Sequence, residues 1–537
     1  MRIVEIFRPL LPVLGSLLSS VLLILAFPPY SLGWLGWVAL VPLLIAISTV
    51  NPRQGFVLSF ISGIISFAVI FIWVFEVPGY KILHHFILGL YLGPLFGIFG
   101  FVVSLITKRC GFTLAGFVAP LILVSLEYIR SNMGFIAFPF ACLGYTQHAH
   151  PLVIQIASVA GAYGVSLLLA VVNSAVAAFV LSLLYRSKNP NLRPNRHISN
   201  RGLVSIAGAA AFLTILTLFY GMKVVYEPTG GKKFKVSVVQ GNIEQAKKWD
   251  RSYRNYIIDR YEELSRETSK DQPSLIIWPE AATPGFVLKD IALLQRTTQL
   301  IREINTYFLI GSAEYPKFQK GPLKVDQFGN TALFFSPDGK VLGQYLKIHL
   351  LPFGEYLPYK ETIPWSWIDV PNVTSTIPGK EFTVFQCPTY RFSVPICWEI
   401  IFPDLPRRFV RAGAQFLVNI SNEAWFGRSV GPQHYVISSV FRAVENRVYV
   451  VRCTNTGISC FIDPYGRVVG RVKDEKNQDL FVRGVLTETV IPLESKTLYT
   501  RYGDWLIWIC AGVSLIFIIV AFLRRKPDTD TPTSGRS

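Results

Sequence analysis

The stretch "RFSVPICWEIIFPD", residues 391–404, places a cysteine and a glutamate two positions apart behind a short apolar run. Residues 391–398 read as a strand, so that Cys397 closes the strand and Glu399 follows it. A cysteine in that position is, taken alone, a small buried hydrophobe. Its neighbours along the chain change the reading.

Outward from this stretch, residues 225–500 alternate between strand and helix patterns. "FKVSVVQGN" (234–242) alternates as a strand, and "YRNYIIDRYEELSRET" (253–268) has helical periodicity. "SLIIWPE" (274–280) is a buried strand ending in a carboxylate, and "YFLIGSAE" (307–314) is another strand. "TALFFSPDGKVLGQYLK" (331–347) and "FIDPYGRVVGRV" (461–472) are hairpins with PDG and Pro464–Gly466 turns. "AQFLVNISN" (414–422) follows as a strand and 432–450 as a helix. The expected fold is an α/β domain, a mixed sheet with helices packed outside, with no internal repeat in the sequence.

The rest of the chain obeys other rules. Of 537 residues 51% are hydrophobic and only 16% charged, with a mean hydropathy of +0.40. That balance implies several membrane spans. Apolar stretches near the length of a span occur at about 9–27, 31–49, 55–75, 83–107, 112–130, 152–185, 203–223 and 504–523, which predicts about eight. The long 152–185 stretch is expected to tilt or to include a re-entrant part. The formal charge of +18 is unevenly distributed. Only Glu5, Glu76 and Glu127 are acidic before residue 225, and basic residues cluster in alternate loops: Arg2 and Arg8, Arg53, Lys108–Arg109, 185–202 and 524–526. The positive-inside rule makes those loops cytoplasmic. Residues 1–224 are therefore expected to form a membrane domain of seven helices, 225–500 an extracytoplasmic domain, 501–524 the last helix, and 525–537 a disordered cytoplasmic tail. Nothing resembles a nucleic-acid module. The seven cysteines show no metal-like spacing, so neither metal nor cofactor is expected, and a Cys453–Cys460 disulfide stays open.

Three strand ends carry reactive side chains: Glu280, Lys347 and Cys397. Singly, each is an ordinary rim charge or core thiol. Together they supply a base for the S–H proton, a cation for the thiolate and oxyanion, and a sulfur nucleophile.

Glu…Lys…Cys in that order resembles the nitrilase superfamily. "VVQGNIEQAKKW" (238–249), "WPEAATP" (278–284), "YLKIHLLPFGEYLP" (345–358), "ICWEIIFP" (396–403), "NISNEAWFG" (419–427) and "RAVENR" (442–447) resemble, more narrowly, the apolipoprotein N-acyltransferase family. "EYIRSNMGFIAFPFACLGYTQ" (127–147), in the apolar half, resembles a loop of the same family. The resemblance implies an αββα sandwich and a ping-pong acyl transfer. A phospholipid acyl chain would pass through a Cys397 thioester to the α-amino group of a lipoprotein's N-terminal diacylglyceryl-cysteine. It implies Glu280 as general base, Lys347 as oxyanion and thiolate partner, and Glu355 as a second carboxylate. Trp398 would lend its backbone N–H to the oxyanion, and Trp249, Trp425 and Phe426 would lie on loops over the site. Glu399 would share Cys397's side if the strand continued, and so orient Lys347 or the incoming amine. The family commonly has tyrosine where this chain has Trp398, which removes a hydroxyl. The implied location is a bacterial inner membrane, with the catalytic domain periplasmic, both termini cytoplasmic and a monomeric state.

Two other readings use the same chain. A membrane-anchored amidohydrolase of nitrilase type would use water as acceptor, needing one span rather than eight. A transporter would place charges inside the spans, where only Glu127 and Arg130 come close, at a span end.

Overall fold

The structure is a computed structural model and describes residues 10–186, 198–227, 230–248, 250–315, 328–368, 370, 376–494 and 496–524. Arg2, Arg8, most of the basic 185–202 loop and the expected 525–537 tail lie outside the described residues.

Every predicted apolar stretch is helical. The first seven correspond to α1 (Leu11–Ala26), α2 (Val41–Thr49), α3 (Pro52–Ile70), α4 (Ile82–Cys110), α5 (Phe112–Ser131), α6 (Ala157–Arg186) and α7 (Asn200–Val225); the last is Trp505–Leu523. Six of the eight are long and apolar enough to cross a membrane; α1 and the Gly33–Thr49 segment are shorter. The second stretch breaks into a 3-10 turn, Gly33–Trp37, before α2. There the chain backs onto a second loop so closely that a Cβ on Gly33 would lie 2.3 Å from the Thr146 carbonyl oxygen. The long 152–185 stretch divides into a short turn, Pro151–Ile154, and α6, which kinks at Gly161. A left-handed φ of 67° and the Tyr499 ring, 2.6 Å from where a Cβ would sit, both require glycine at that kink.

The remaining strands form two six-stranded sheets. The first has the order β12-β1-β2-β3-β4-β5, and the second β11-β10-β9-β8-β7-β6. Their ranges are β1 Phe234–Gln240, β2 Leu275–Ile277, β3 Tyr307–Glu314, β4 Gly329–Phe335, β5 Val341–Leu346, β6 Phe385–Gln386, β7 Arg391–Ser393, β8 Phe416–Ser421, β9 Tyr449–Thr454, β10 Cys460–Ile462, β11 Val468–Arg471 and β12 Gly484–Val490. In each sheet three central strands run parallel, an antiparallel hairpin flanks one side and a single antiparallel strand the other. The two sheets thus repeat one another in topology, a repeat invisible in the residues because it lies in hydrogen-bond pattern rather than side-chain identity.

Alternation sorts the side chains. Val236, Val238, Leu275 and Ile277 pack between the sheets with Phe392, Phe416 and Val418. Val239, Ile276, Phe308 and Ile310 face outward beneath α8 (Arg254–Ser269) and α9 (Ile291–Ile304). The other sheet is covered by α10 (Asp404–Arg411) and α11 (Gly431–Asn446), which completes an αββα sandwich. The helix expected over 432–450 ends at Asn446, where Arg447 turns left-handed at φ 53°, and β9 follows. Cys453 and Cys460 are both free thiols.

Nearly every residue of α11 is buried, because the membrane helices cover its outer side. Its Tyr435 and Phe441 meet Phe140 and Tyr145. Arg442 and Glu445, fully buried, pair at 2.9 Å. Arg442 also donates to Tyr145 Oη at 3.2 Å, and Glu445 accepts from the Ala162 N–H at 3.0 Å. Removing one member of such a pair leaves the other charged and unpaired in the interior. Glu445→Ala is expected to destabilise the folded chain by about 3–5 kcal/mol, measured as a lowered unfolding transition in detergent. An unchanged transition would show that the interface does not depend on this pair.

Candidate active site

The catalytic geometry starts with a strand that stops early. β7 is only Arg391–Ser393; Ile396 makes one further bridge to Ile420, and Cys397 then begins a 3-10 turn over Cys397–Ile401. Cys397 has φ 55°, a left-handed value that non-glycine residues adopt at a cost of order 1–3 kcal/mol. The turn is held open from beneath. Asn419 Nδ2 donates to the carbonyl oxygens of Pro395 (2.8 Å) and Cys397 (3.1 Å), and Arg452 Nη1 donates to Asn419 Oδ1 at 2.6 Å. Arg452 in turn pairs with Glu423, both fully buried.

The strand therefore does not continue, and Glu399 does not share Cys397's side. Its carboxylate is buried and saturated instead. Oε1 accepts from the N–H groups of Ile348 and His349, each at 2.8 Å, Oε2 accepts from the Ile396 N–H at 2.7 Å, and Tyr345 Oη donates at 2.9 Å. Burial pushes the Glu399 carboxyl up to about 7, against the pull of those N–H groups and of Lys347. Glu399 acts on Lys347 by clamping the backbone beside it, across the gap between the two sheets. Trp398 reinforces the clamp: its indole N–H donates to the His349 carbonyl at 2.7 Å, a donor in the place where the resemblance leads one to expect a hydroxyl.

β2, β5 and β7 all end on the same side of the sandwich, which brings Glu280, Lys347 and Cys397 together. Lys347 Nζ lies 2.9 Å from Glu355 Oε1 and 3.6 Å from Glu280 Oε1. Glu280 Oε1 also accepts from Asn330 Nδ2 at 2.5 Å, and its Oε2 from the Asn422 N–H at 2.7 Å. Asn330 spans both carboxylates, reaching Glu355 Oε1 at 3.1 Å, and the Leu351 N–H holds Glu355 Oε2 at 2.7 Å. Burial alone would lower the Lys347 ammonium, but the Glu355 and Glu280 charges outweigh it and raise it above its ordinary value. Cys397 is raised chiefly by burial and then by Glu280, against Lys347, so the resting sulfur is a protonated thiol.

Trp249 lies outside the described residues. Trp425 is 43% exposed, whereas Phe426 is packed edge-on against Trp73 at 5.1 Å and beside Tyr435. Phe426 thus joins the loop after β8 to the turn Ile72–Glu76 beyond α3. Asn330, Asn419, Asn422, Tyr345 and Arg452 had no part in the sequence reading. Asn419 and Asn422 sit inside "NISNEAWFG" but carry no reactive group, and Arg452 lies on β9, just past the stretch read as helix.

Glu399→Gln would turn an N–H₂ group toward one of these backbone N–H donors. A loss of about 2–3 kcal/mol is expected, read from unfolding in detergent, together with slowed turnover through displaced Lys347. Tyr345→Phe, which removes one donor only, should cost about 1 kcal/mol.

Family models of a carbon-nitrogen hydrolase and of an apolipoprotein N-acyltransferase N-terminal domain match residues 235–492 and 19–175. An apolipoprotein N-acyltransferase of Geobacter metallireducens is 36% identical over 522 residues, 96% of each chain. One of Chlorobaculum tepidum is 28% identical over 547 residues, covering 96% of this chain and 97% of its own. Among solved structures, a nitrilase-superfamily amidase of Nesterenkonia AN1 aligns at 18% identity with 51% of this chain and 95% of its own, TM-score 0.37.

Proposed function

The chain belongs to the apolipoprotein N-acyltransferase family, and from that premise we propose that Cys397 carries the acyl chain as a thioester between two lipid-anchored substrates. The enzyme is an acyltransferase of the membrane. Its donor in this reading is a phospholipid and its acceptor the free α-amino group of a lipoprotein's N-terminal diacylglyceryl-cysteine.

Glu280 takes the thiol proton as the sulfur attacks the ester carbonyl. Negative charge then develops on the carbonyl oxygen, opposite the Lys347 ammonium and the Trp398 backbone N–H. Collapse expels the lysophospholipid alkoxide, which receives the proton from Glu280. In the second half the amine attacks the thioester, Glu280 takes the amine proton, and the thiol is restored as the amide leaves. Glu355 holds the far side of Lys347, so the cation stays centred between the two carboxylates.

The observation that carries this reading is the burial of a carboxylate–ammonium–thiol cluster in a sandwich whose hydrophobic core is continuous with the apolar helices. Water competes for any thioester, and that continuity favours an amine delivered on a lipid anchor over bulk water. A hydrolase needs no such continuity. In this reading the positive-inside rule, applied to the basic loops, favours residues 225–500 on the periplasmic side of an inner membrane, between a 1–224 membrane domain and a 501–524 return helix, with both termini cytoplasmic. A monomer suffices for this chemistry.

With labelled phospholipid and a diacylated lipopeptide, the wild-type chain is expected to form a hydroxylamine-labile adduct and then acylated peptide. Cys397→Ala should form neither. Unchanged activity in Cys397→Ala would refute the assignment, and hydrolysis without peptide acylation would favour the amidohydrolase.

A further inference from the structure

Between β1 and α8 the chain runs through "GNIEQAKK" (241–248). This segment is stitched to the loops beyond β8 and β9. The Ile243 N–H donates to Asn455 Oδ1 at 2.9 Å, Asn455 Nδ2 returns a bond to the Ile243 carbonyl at 2.8 Å, and Asn422 Nδ2 donates to Gln245 Oε1 at 2.9 Å. The stitching delivers two successive lysines to opposite fates. Lys247 stays at the surface and pairs with Glu244 at 2.8 Å. Lys248 is 3% exposed, and its Nζ donates to the backbone carbonyl of Glu280 at 2.9 Å.

A buried ammonium with a neutral carbonyl as its hydrogen-bond acceptor is costly and calls for a charged reason to be there. The neighbouring charges provide one. Glu280 and Glu355 share the single ammonium of Lys347, so these three groups alone leave one negative charge uncompensated in the interior. Lys248, on the backbone side of Glu280, closes that balance. Beyond Glu280, the titratable group that acts on it is the Cys397 thiol.

We propose that Lys248 is the second cation of the site, a positioning residue that balances the Glu280–Glu355 pair and fixes the Glu280 backbone beside Cys397. The role rests on the acyl-transfer reading of Cys397. Burial draws the Lys248 ammonium down to about 8, opposed by Glu280 and Cys397. The cation is therefore present at neutral pH and is lost as pH rises through that value. Without it, the Glu280–Glu355 pair keeps one ammonium between two carboxylates.

The test is the rate of thioester formation with labelled phospholipid alone, using the full chain in detergent micelles across the range from acid to alkaline. No acceptor amine is present, so its titration does not intrude. The wild type is expected to slow above about pH 8. Lys248→Arg, whose guanidinium keeps its charge, should retain the neutral rate to within about tenfold and lose that alkaline decline. Lys248→Met should slow about a hundredfold at neutral pH, with the KM for phospholipid little changed. A Met variant with the wild-type rate and profile overturns the proposal. So does an Arg variant that keeps the wild-type alkaline limb, even where the Met variant fails to fold. Adduct formation by Cys397→Ala would instead refute the acyl-transfer reading itself, whatever the Lys248 variants do.

Discussion

One buried carboxylate joins the two sheets at the end where the site lies. Glu399 belongs to the turn after β7 in the second sheet, yet its oxygens accept from Tyr345, Ile348 and His349 at the end of β5 in the first. Those bonds set the position of Lys347 relative to Cys397, two residues that come from different sheets and lie fifty positions apart in the chain. A charge in the interior is tolerated only when its lone pairs are satisfied. The same requirement that makes Glu399 expensive makes its geometry specific, since every donor must be in place at once. Trp398 works in parallel from the next residue by bonding the His349 carbonyl.

The second dependency is the burial of α11. In a sandwich standing alone, a helix on the outer face of a sheet has one side in water. Here that side is covered by residues of the membrane helices, and the hydrophobic core runs continuously from the sheets into the bundle. Trp73 and Phe426 meet at the same boundary. This physical link connects an αββα fold to chemistry on lipids.

Much of the layout was legible from periodicity. The strands over 307–314 and both hairpins appear where alternation and turn residues placed them, because those signals are local. The helix over 432–450 was read four residues too long, at the expense of β9. "RVYVVRCT" is apolar enough to continue a buried helix, and only the left-handed Arg447 separates the two elements. The strand through Cys397 was read too long for a related reason. The turn at Cys397 is imposed by Asn419 and Arg452 from strands that the local sequence does not contain. The segment expected as a second span begins instead as a 3-10 turn, because its glycines press against Thr146.

By itself, the sequence determined the two-part organisation, since hydropathy and loop charge are properties of composition, and it marked Glu280, Lys347, Glu355 and Cys397 through the motifs around them. It also carried the family resemblance that the relatives bear out across 96% of the chain. Only the tertiary structure decided what the remaining polar residues do. Glu399 was read as orienting Lys347 or the incoming amine from Cys397's side and instead clamps the backbone beside Lys347, while Asn330, which bridges two carboxylates, and Lys248, which reaches the Glu280 carbonyl, had no role assigned. Buried charges take their meaning from partners brought close by folding, and the pairing of distant strands, which creates those partners, leaves no mark on any single stretch of chain.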